Sequence, residues 1–589
     1  MSNLNGHFDV IIIGGGPGGS TTGALLRKYN PNLRVLILER ETFPRDHIGE
    51  SQLPPIGRVL HEMGVWDKIE RHGFPIKLGA TYTWGKTISP WTFGFIPDRE
   101  IPDSYSRPGT FEGWRQRVSF QVDRSIYDTI LLDHAKELGC DVRQAAKVKS
   151  ITHDRTKAGK RVTGVELESG EKFTARYYVD ASGNAAVMRR ALGIKVDAPT
   201  LLRNVAFWDY WSAPGMNKAI LEKKAVRIQI RSLPYGWVWY IALSDDRTSV
   251  GLVCNAEWYK TCGKRPDDLL MESLRSEATV WNLIKDATRK GKLESTTDWS
   301  YVADETCGEN WFLVGECLGF ADPILSAGLT LTHTCAQHAA STILELDHGE
   351  EDAAWLRREY NNTQRRRVIQ HMKFAEYWYT GNGQFSAVRE NCAAIAKEAG
   401  LTMSPEEAFR WLSHGGIDDH VGQFAIGGLG LSGVKSVQMR LSHDHAGDVT
   451  YTIDGATDLV LNLRGATRTD MAHPENGRVI RLPILERGKS RVPLTGTYAA
   501  VVEVLKRAST VDMVLAGLQE YARRHFATAM DARGFLSSCT QSMEALASQG
   551  WIEVRRRPNA PAISLKTPEE GEIVYSEEKG PTRVDRGLI

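Results

Sequence analysis

The chain opens on FDVIII at residues 8–13, a β-branched apolar run with no polar break after its aspartate. Such a run predicts a strand buried on both faces, as in a parallel sheet. The glycine-rich GGGPGGS predicts a tight turn, STTGALLRKY a helix, and LRVLILE a second strand ending at Glu39. Later segments return to the same alternation. VDRSIYDTILLDHAKELG carries helical spacing from Arg124, YYVDASG runs from a strand into a small-residue turn at Asp180–Gly183, and NWFLVGECLGFADPILSAGLTLTHTCAQHAA joins a strand, an acidic turn and a helix start. Between these, residues 75–122 and 200–302 are rich in Trp, Tyr and Phe and predict antiparallel strands. Helical spacing covers 356–413, with the Arg365–Arg367 run on a solvated face. From about 445 short strands give way to two helical segments and a strand after Gln549-Gly550, the pattern of a winged-helix-like module. The expected organisation is an α/β domain over 1–355, with an antiparallel sheet from about 75–122 and 200–302. A helical linker over 356–440, a winged-helix-like domain over 441–575 and a polar tail over 576–589 follow.

A length of 589 residues exceeds what one hydrophobic core supports. The hydrophobic fraction of 42% and charged fraction of 25% are those of an ordinary globular protein. A net charge of +1 argues against nucleic-acid binding, which needs concentrated Lys and Arg, and the same balance weighs against a regulatory DNA-binding reading of the C-terminal module. The N-terminus lacks the basic and long apolar regions of an export signal, and no run reaches the roughly 18 apolar residues of a membrane span. A cytoplasmic enzyme without a membrane partner is the expectation. The eight cysteines are scattered without a C-x-x-C pair, as reduced thiols are and disulfides or zinc ligands are not.

Gly14, Gly16 and Gly19 fit G-x-G-x-x-G between a strand and a helix. The first glycine allows the turn, the second lets backbone approach a pyrophosphate, and the third lets the helix pack closely. The helix N-terminus faces the diphosphate. Glu39 stands where a carboxylate accepts from ribose hydroxyls, and it disfavours a 2′-phosphate. A second triplet, Gly428, Gly430 and Gly433, has no acidic strand end and reads as a flexible loop. Because the chain returns late to the nucleotide fold, FAD fits better than NAD. No second dinucleotide motif is present for NAD(P)H, so reducing equivalents are expected from a flavin reductase.

The motifs GGGPGGS, ETFPRDHIGESQLP, PIKLGATYTWG, SPWTFGF, GWVWYIALSDDRTSVGLV, DWSY and DPILSAG together resemble the flavin-dependent halogenases, nearest the chloramphenicol-biosynthesis branch. The likeness covers most of 8–345 and extends more loosely to the C-terminus. It implies a hydroxylase-type FAD fold whose reduced flavin and O2 form a hydroperoxide. Chloride or bromide attacks that species, and the hypohalous acid passes to Lys77, which halogenates a small-molecule or carrier-protein- or peptide-bound substrate. The flavin contacts it implies are Gly14, Gly16, Pro17, Gly18, Gly19, Glu39, Arg40, Glu50, Ser51, Arg124, Gly315, Glu316 and Asp322, with Asp298 a candidate for a covalent link. Halide contacts fall on Ser326, Ala327 and Gly328 at a helix N-terminus. Trp237 and Trp239 would form a wall that separates substrate from flavin.

Each assignment has a plainer counterpart. Lys77 could be a solvated surface lysine, although a desolvated amine has the lowered pKa and nucleophilicity the transfer requires. Two tryptophans spaced by two residues share one face of a strand, and core packing alone would explain them. Asp298 could be a solvated strand-end carboxylate. Three positions depart from the family pattern: Ala242 replaces the proline of W-x-W-x-I-P, Leu325 replaces a phenylalanine, and Glu316 replaces an aspartate. The first two keep open an alternative, an FAD monooxygenase or oxidase of the same fold that does not use halide.

Overall fold

The computed structural model describes residues 6–85, 89–96, 100–156, 159–200, 202–212, 225–297, 300–380, 382, 451–488, 490–525, 529–565 and 574–576. Asp298, the triplet Gly428, Gly430 and Gly433, most of the linker expected over 356–440 and the tail from 577 lie outside them. The described residues fall into two compact units, one within Met1–Thr402 and Pro474–Ile480, the other within Met403–His473 and Arg481–Ser576.

The apolar run at the N-terminus forms β1 (His7–Ile13), flanked in parallel by β2 (Val35–Leu38) and β4 (Lys172–Asp180), with β3 (Ile76–Thr83) lying in a different sheet. Val10, Ile11 and Ile12 are fully buried, as a strand covered on both faces requires. The strand Asp141–Arg143 adds beyond β2, and β9 (Trp311–Leu313) adds in parallel to β4. Ile13 pairs with Leu38 and with Asp180, and Leu313 pairs with Asp180, so the carboxyl ends of these strands lie at one level. That edge is where an open α/β sheet binds its ligand.

Helices α1 (Pro17–Tyr29), α2 (Arg124–Glu137) and α3 (Gly328–His348) pack around this sheet, and α4 (Ala353–Thr380) follows α3. A buried polar chain ties the first three together. Thr21 Oγ1 lies 2.9 Å from His333 Nδ1, and Tyr127 Oη 2.9 Å from His333 Nε2. Burial pushes the His333 imidazole down to about 3, so it links the helices as a neutral ring.

The aromatic-rich segments form the second sheet: β5 (Asn204–Ser212), β8 (Arg247–Asn255), β7 (Gly236–Ser244), β6 (Ala225–Leu233), β3 and the strand Trp91–Gly94, in that order. Every neighbouring pair is antiparallel except β6 and β3, which run in parallel with a bulge after Val226. Its outer face carries Phe207, Val238, Tyr240, Ala242 and Leu252, packed in one cluster with Leu269, Leu270 and Leu274 of the helix Pro266–Ser276. The α/β architecture with an antiparallel sheet is the one the sequence predicts.

In the second unit the helices Gly496–Leu505, Val511–His525 and Ala529–Ser548 bury Tyr498, Val501, Leu518, Met543 and Trp551 in a common core. The strands Asp458–Leu461 and Ile552–Arg555 pair antiparallel. Among the described residues, no helix is long and apolar enough to cross a membrane, and no group of three or more His, Cys, Asp or Glu could hold a metal ion. The described cysteines are all free.

Candidate active site

Gly14 follows β1 with φ +104°, and a Cβ there would stand 2.3 Å from the Ala181 carbonyl oxygen. A Cβ on Gly19 would stand 1.9 Å from the Gly14 carbonyl oxygen. Helix α1 can therefore close on the turn only because both positions are glycine. Gly15 N donates to Glu39 Oε2 at 2.6 Å and Glu41 N to Glu39 Oε1 at 2.8 Å. The carboxylate is thereby held at the mouth of the turn with a lone pair left on each oxygen for a ribose hydroxyl.

From this turn one cavity of about 820 Å³ runs to the inner face of the antiparallel sheet. Its lining includes Gly14, Gly16, Pro17, Gly18, Glu39, Arg40, Glu50, Ser51, Arg124, Gly315 and Glu316 at one end and Ile228, Ile230, Trp237, Trp239 and Ile241 at the other. Segments distant in sequence thus share one space. Arg45, which the sequence reading did not single out, faces the turn: a Cβ on Gly16 would lie 3.3 Å from its Nη2. Arg45 Nη1 is 3.3 Å from Asp128 Oδ2, and Arg124 grips the same carboxylate at 2.7 and 2.9 Å. Arg124 also donates to the carbonyls of Ile48 and Gly49, which fixes the strap that carries Glu50 and Ser51. The only sequence signal for Arg45 was its place inside ETFPRDHIGESQLP.

Buried polar groups mark this space as built for a polar ligand. Ser51 Oγ is buried without a hydrogen-bond partner, and the Glu50 carboxyl beside it is buried next to Ser249 and Tyr210. Burial pushes the Glu50 carboxyl up to about 7, against the pull of Ser249, Tyr210 and Arg247. Glu316 is also raised by burial, opposed by the charge of Arg124. The glycine turn, the helix N-terminus, Arg45 and Glu39 form a donor and acceptor set that fits the diphosphate and ribose of FAD.

Trp237 and Trp239 project from the same face of β7 with ring centroids 5.9 Å apart. Trp237 Nε1 donates to Tyr379 Oη at 2.6 Å and Trp239 Nε1 to Ser249 Oγ at 3.1 Å. Ala242, the departure from the family proline, sits on the opposite, outer face, so that change leaves the cavity wall intact.

Asp322 caps the short turn Pro323–Leu325 by accepting from Ile324 N at 3.0 Å. Ser326 then takes φ +57°, a left-handed conformation that a non-glycine residue holds only when its surroundings fix it. Ser326 and Gly328 line the cavity where α3 begins, whereas Ala327 and Leu325 are buried and do not. A Cβ on Gly328 would lie 2.7 Å from the Phe320 ring, which lines the same space.

Lys77 is 2% exposed, so the solvated-surface reading does not hold. Its Nζ donates to the Gln52 carbonyl at 2.9 Å, and burial lowers the amine to about 7. Ser119 Oγ donates to the same carbonyl at 2.9 Å. Lys77 is not among the cavity-lining residues. Its partner Gln52 directly follows Glu50 and Ser51, which do line the cavity.

Residues 7–375 match the family model of the FAD binding domain. The 1H-pyrrole-2-carbonyl-(peptidyl-carrier protein) chlorinase of Pseudomonas fluorescens is 28% identical over 386 residues, covering 64% of this chain and 85% of the relative. Flavin-dependent halogenase armH3 of Armillaria mellea is 30% identical over 367 residues, covering 59% of this chain and 69% of the relative. The crystal structure of CmlS, a flavin-dependent halogenase, superposes with a TM-score of 0.69 over 95% of this chain and 98% of its own. At 23% identity that likeness speaks for the fold.

Proposed function

This chain belongs to the flavin-dependent halogenases, oxidoreductases of the FAD-binding type, and from that premise we propose that it halogenates a small organic substrate with chloride or bromide. The observation that carries the proposal is the single cavity joining the glycine turn, the Ser326–Gly328 turn and the Trp237–Trp239 wall. Reduced FAD, supplied by a flavin reductase, provides with O2 the oxidising equivalents that convert halide to hypohalous acid. Backbone amides at the start of α3 hold the halide, Arg45 and the turn amides hold the diphosphate, and Glu39 holds the ribose. The two indoles keep organic substrate away from the flavin and exclude water.

Lys77 takes the halogen. Its neutral amine attacks hypohalous acid, an N–X bond forms as X–O breaks, and the departing oxygen leaves as water with a proton from nitrogen. Transfer to a carbon nucleophile then forms C–X, breaks N–X and returns the displaced hydrogen to the amine. An amine near 7 is substantially neutral at physiological pH, as the first step needs. The chlorinase relative names a carrier-bound acyl substrate, and we extend that class to this chain, within secondary metabolism. A covalent flavin ester through Asp298 completes the proposal, with intact mass after acid denaturation as its test.

The proposal is tested with FAD, a reductase, NADH, O2 and bromide, followed by monochlorodimedone bromination and product mass. Bromide-dependent halogenation is expected. Oxygenated product without halide dependence would support the second reading, a monooxygenase of the same fold. That reading is favoured by Lys77 not being among the cavity-lining residues and by its bond to the Gln52 carbonyl.

A further inference from the structure

The halide turn and the tryptophan wall come from segments far apart in the chain, yet one phenol joins them. Tyr379, near the end of α4, accepts from Trp237 Nε1 at 2.6 Å. The same hydroxyl stands 3.1 and 3.2 Å from the two oxygens of Asp322. Asn204 Nδ2, on β5, donates to Asp322 Oδ2 at 2.7 Å and to the Tyr379 hydroxyl at 3.3 Å. Direction follows from donor chemistry. An indole N–H and an amide N–H can only donate, so the one phenolic proton must go to Asp322. Asp322 then accepts from Tyr379, Asn204 and the Ile324 amide, and through that last bond it shapes the turn leading into Ser326. All four side chains are buried, where an unpaired polar group is costly, so the set holds together as a unit.

The geometry points to Tyr379 as a positioning residue that locks the Asp322–Gly328 turn to the Trp237 wall and so sets halide affinity. The inference rests on the reading of Ser326–Gly328 as the halide site. Tyr379 does not itself line the cavity, so it acts through Asp322 and Trp237 rather than by touching the halide. Loss of its hydroxyl leaves the Trp237 N–H without its acceptor and removes one donor from Asp322. The left-handed Ser326 then loses part of what fixes it.

The test uses the full-length chain loaded with FAD. Bromide is titrated against wild type, Tyr379→Phe, Trp237→Phe and the double variant, alongside FAD affinity, thermal melting and the indole N–H resonances of ¹⁵N-tryptophan-labelled protein. Tyr379→Phe is expected to weaken bromide binding about tenfold, the scale of one net hydrogen bond, with FAD affinity unchanged and the Trp237 resonance shifted. Trp237→Phe, which leaves Tyr379 in place, should also weaken bromide binding, and the double variant should be no weaker than Tyr379→Phe alone. A merely structural tyrosine would lower the melting temperature and leave bromide affinity as it was. Wild type that binds bromide, with Tyr379→Phe binding it equally well or the two substitutions adding independently, overturns this inference alone. Wild type that binds no bromide overturns the halide reading of the turn, and this inference with it.

Discussion

Trp239 lies directly over Gly251 of the neighbouring strand β8: a Cβ on that glycine would fall 2.3 Å from the indole Cη2. The tryptophan wall is therefore seated on a bare backbone, and the glycine determines how far the indole stands from the cavity. Gly251→Ala should displace Trp239 into the cavity, lower stability by about 1–3 kcal/mol through overpacking, and reduce product formation. Thermal melting together with product yield per flavin oxidised checks it.

The cofactor end makes a separate prediction. Arg45→Ala removes a guanidinium facing the glycine turn and should weaken FAD binding by about 1.5–3 kcal/mol, roughly ten- to a hundredfold. Gly19→Ala drives a methyl into the Gly14 carbonyl and should abolish binding outright. Flavin fluorescence titration separates both from wild type.

Lys77 yields a pH prediction whose sign is fixed by burial. Its folded value, about 7, lies below the ordinary 10.5, so folding releases a proton between those limits and stability rises with pH across that window. Lys77→Met removes the penalty of burying an ammonium. The stabilisation should be largest below pH 7 and shrink towards pH 10.5, as denaturant unfolding across that range would reveal.

Much of this was legible in the sequence because the relevant signals are local. The glycine spacing, the acidic end of β2 and the two-residue spacing of Trp237 and Trp239 each follow from how a strand or turn presents its residues. Arg45 was not legible, since its partners Gly16 and Asp128 come from separate elements. Tyr379 was hidden more deeply, in a helix far along the chain whose aromatic and charged residues gave only helical spacing. Ala242 reads as a departure in one dimension, yet the strand alternation turns it to the outer face, away from the site. For Lys77 the sequence carried the residue but not its direction. Its bond to the Gln52 carbonyl depends on the pairing of β3 with Ser119, which no local spacing encodes.

Lys77 is the proposed point through which oxidised halogen passes from the flavin cavity to substrate. The most direct measurement compares wild type with Lys77→Ala, both loaded with FAD and supplied with reductase, NADH, O2 and bromide, following flavin oxidation and the mass of products from carrier-bound and free aromatic substrates. Brominated product is expected from wild type only, with flavin oxidation unchanged in the variant. Brominated product from Lys77→Ala at the wild-type rate, or oxygenated product from wild type regardless of bromide, would contradict it.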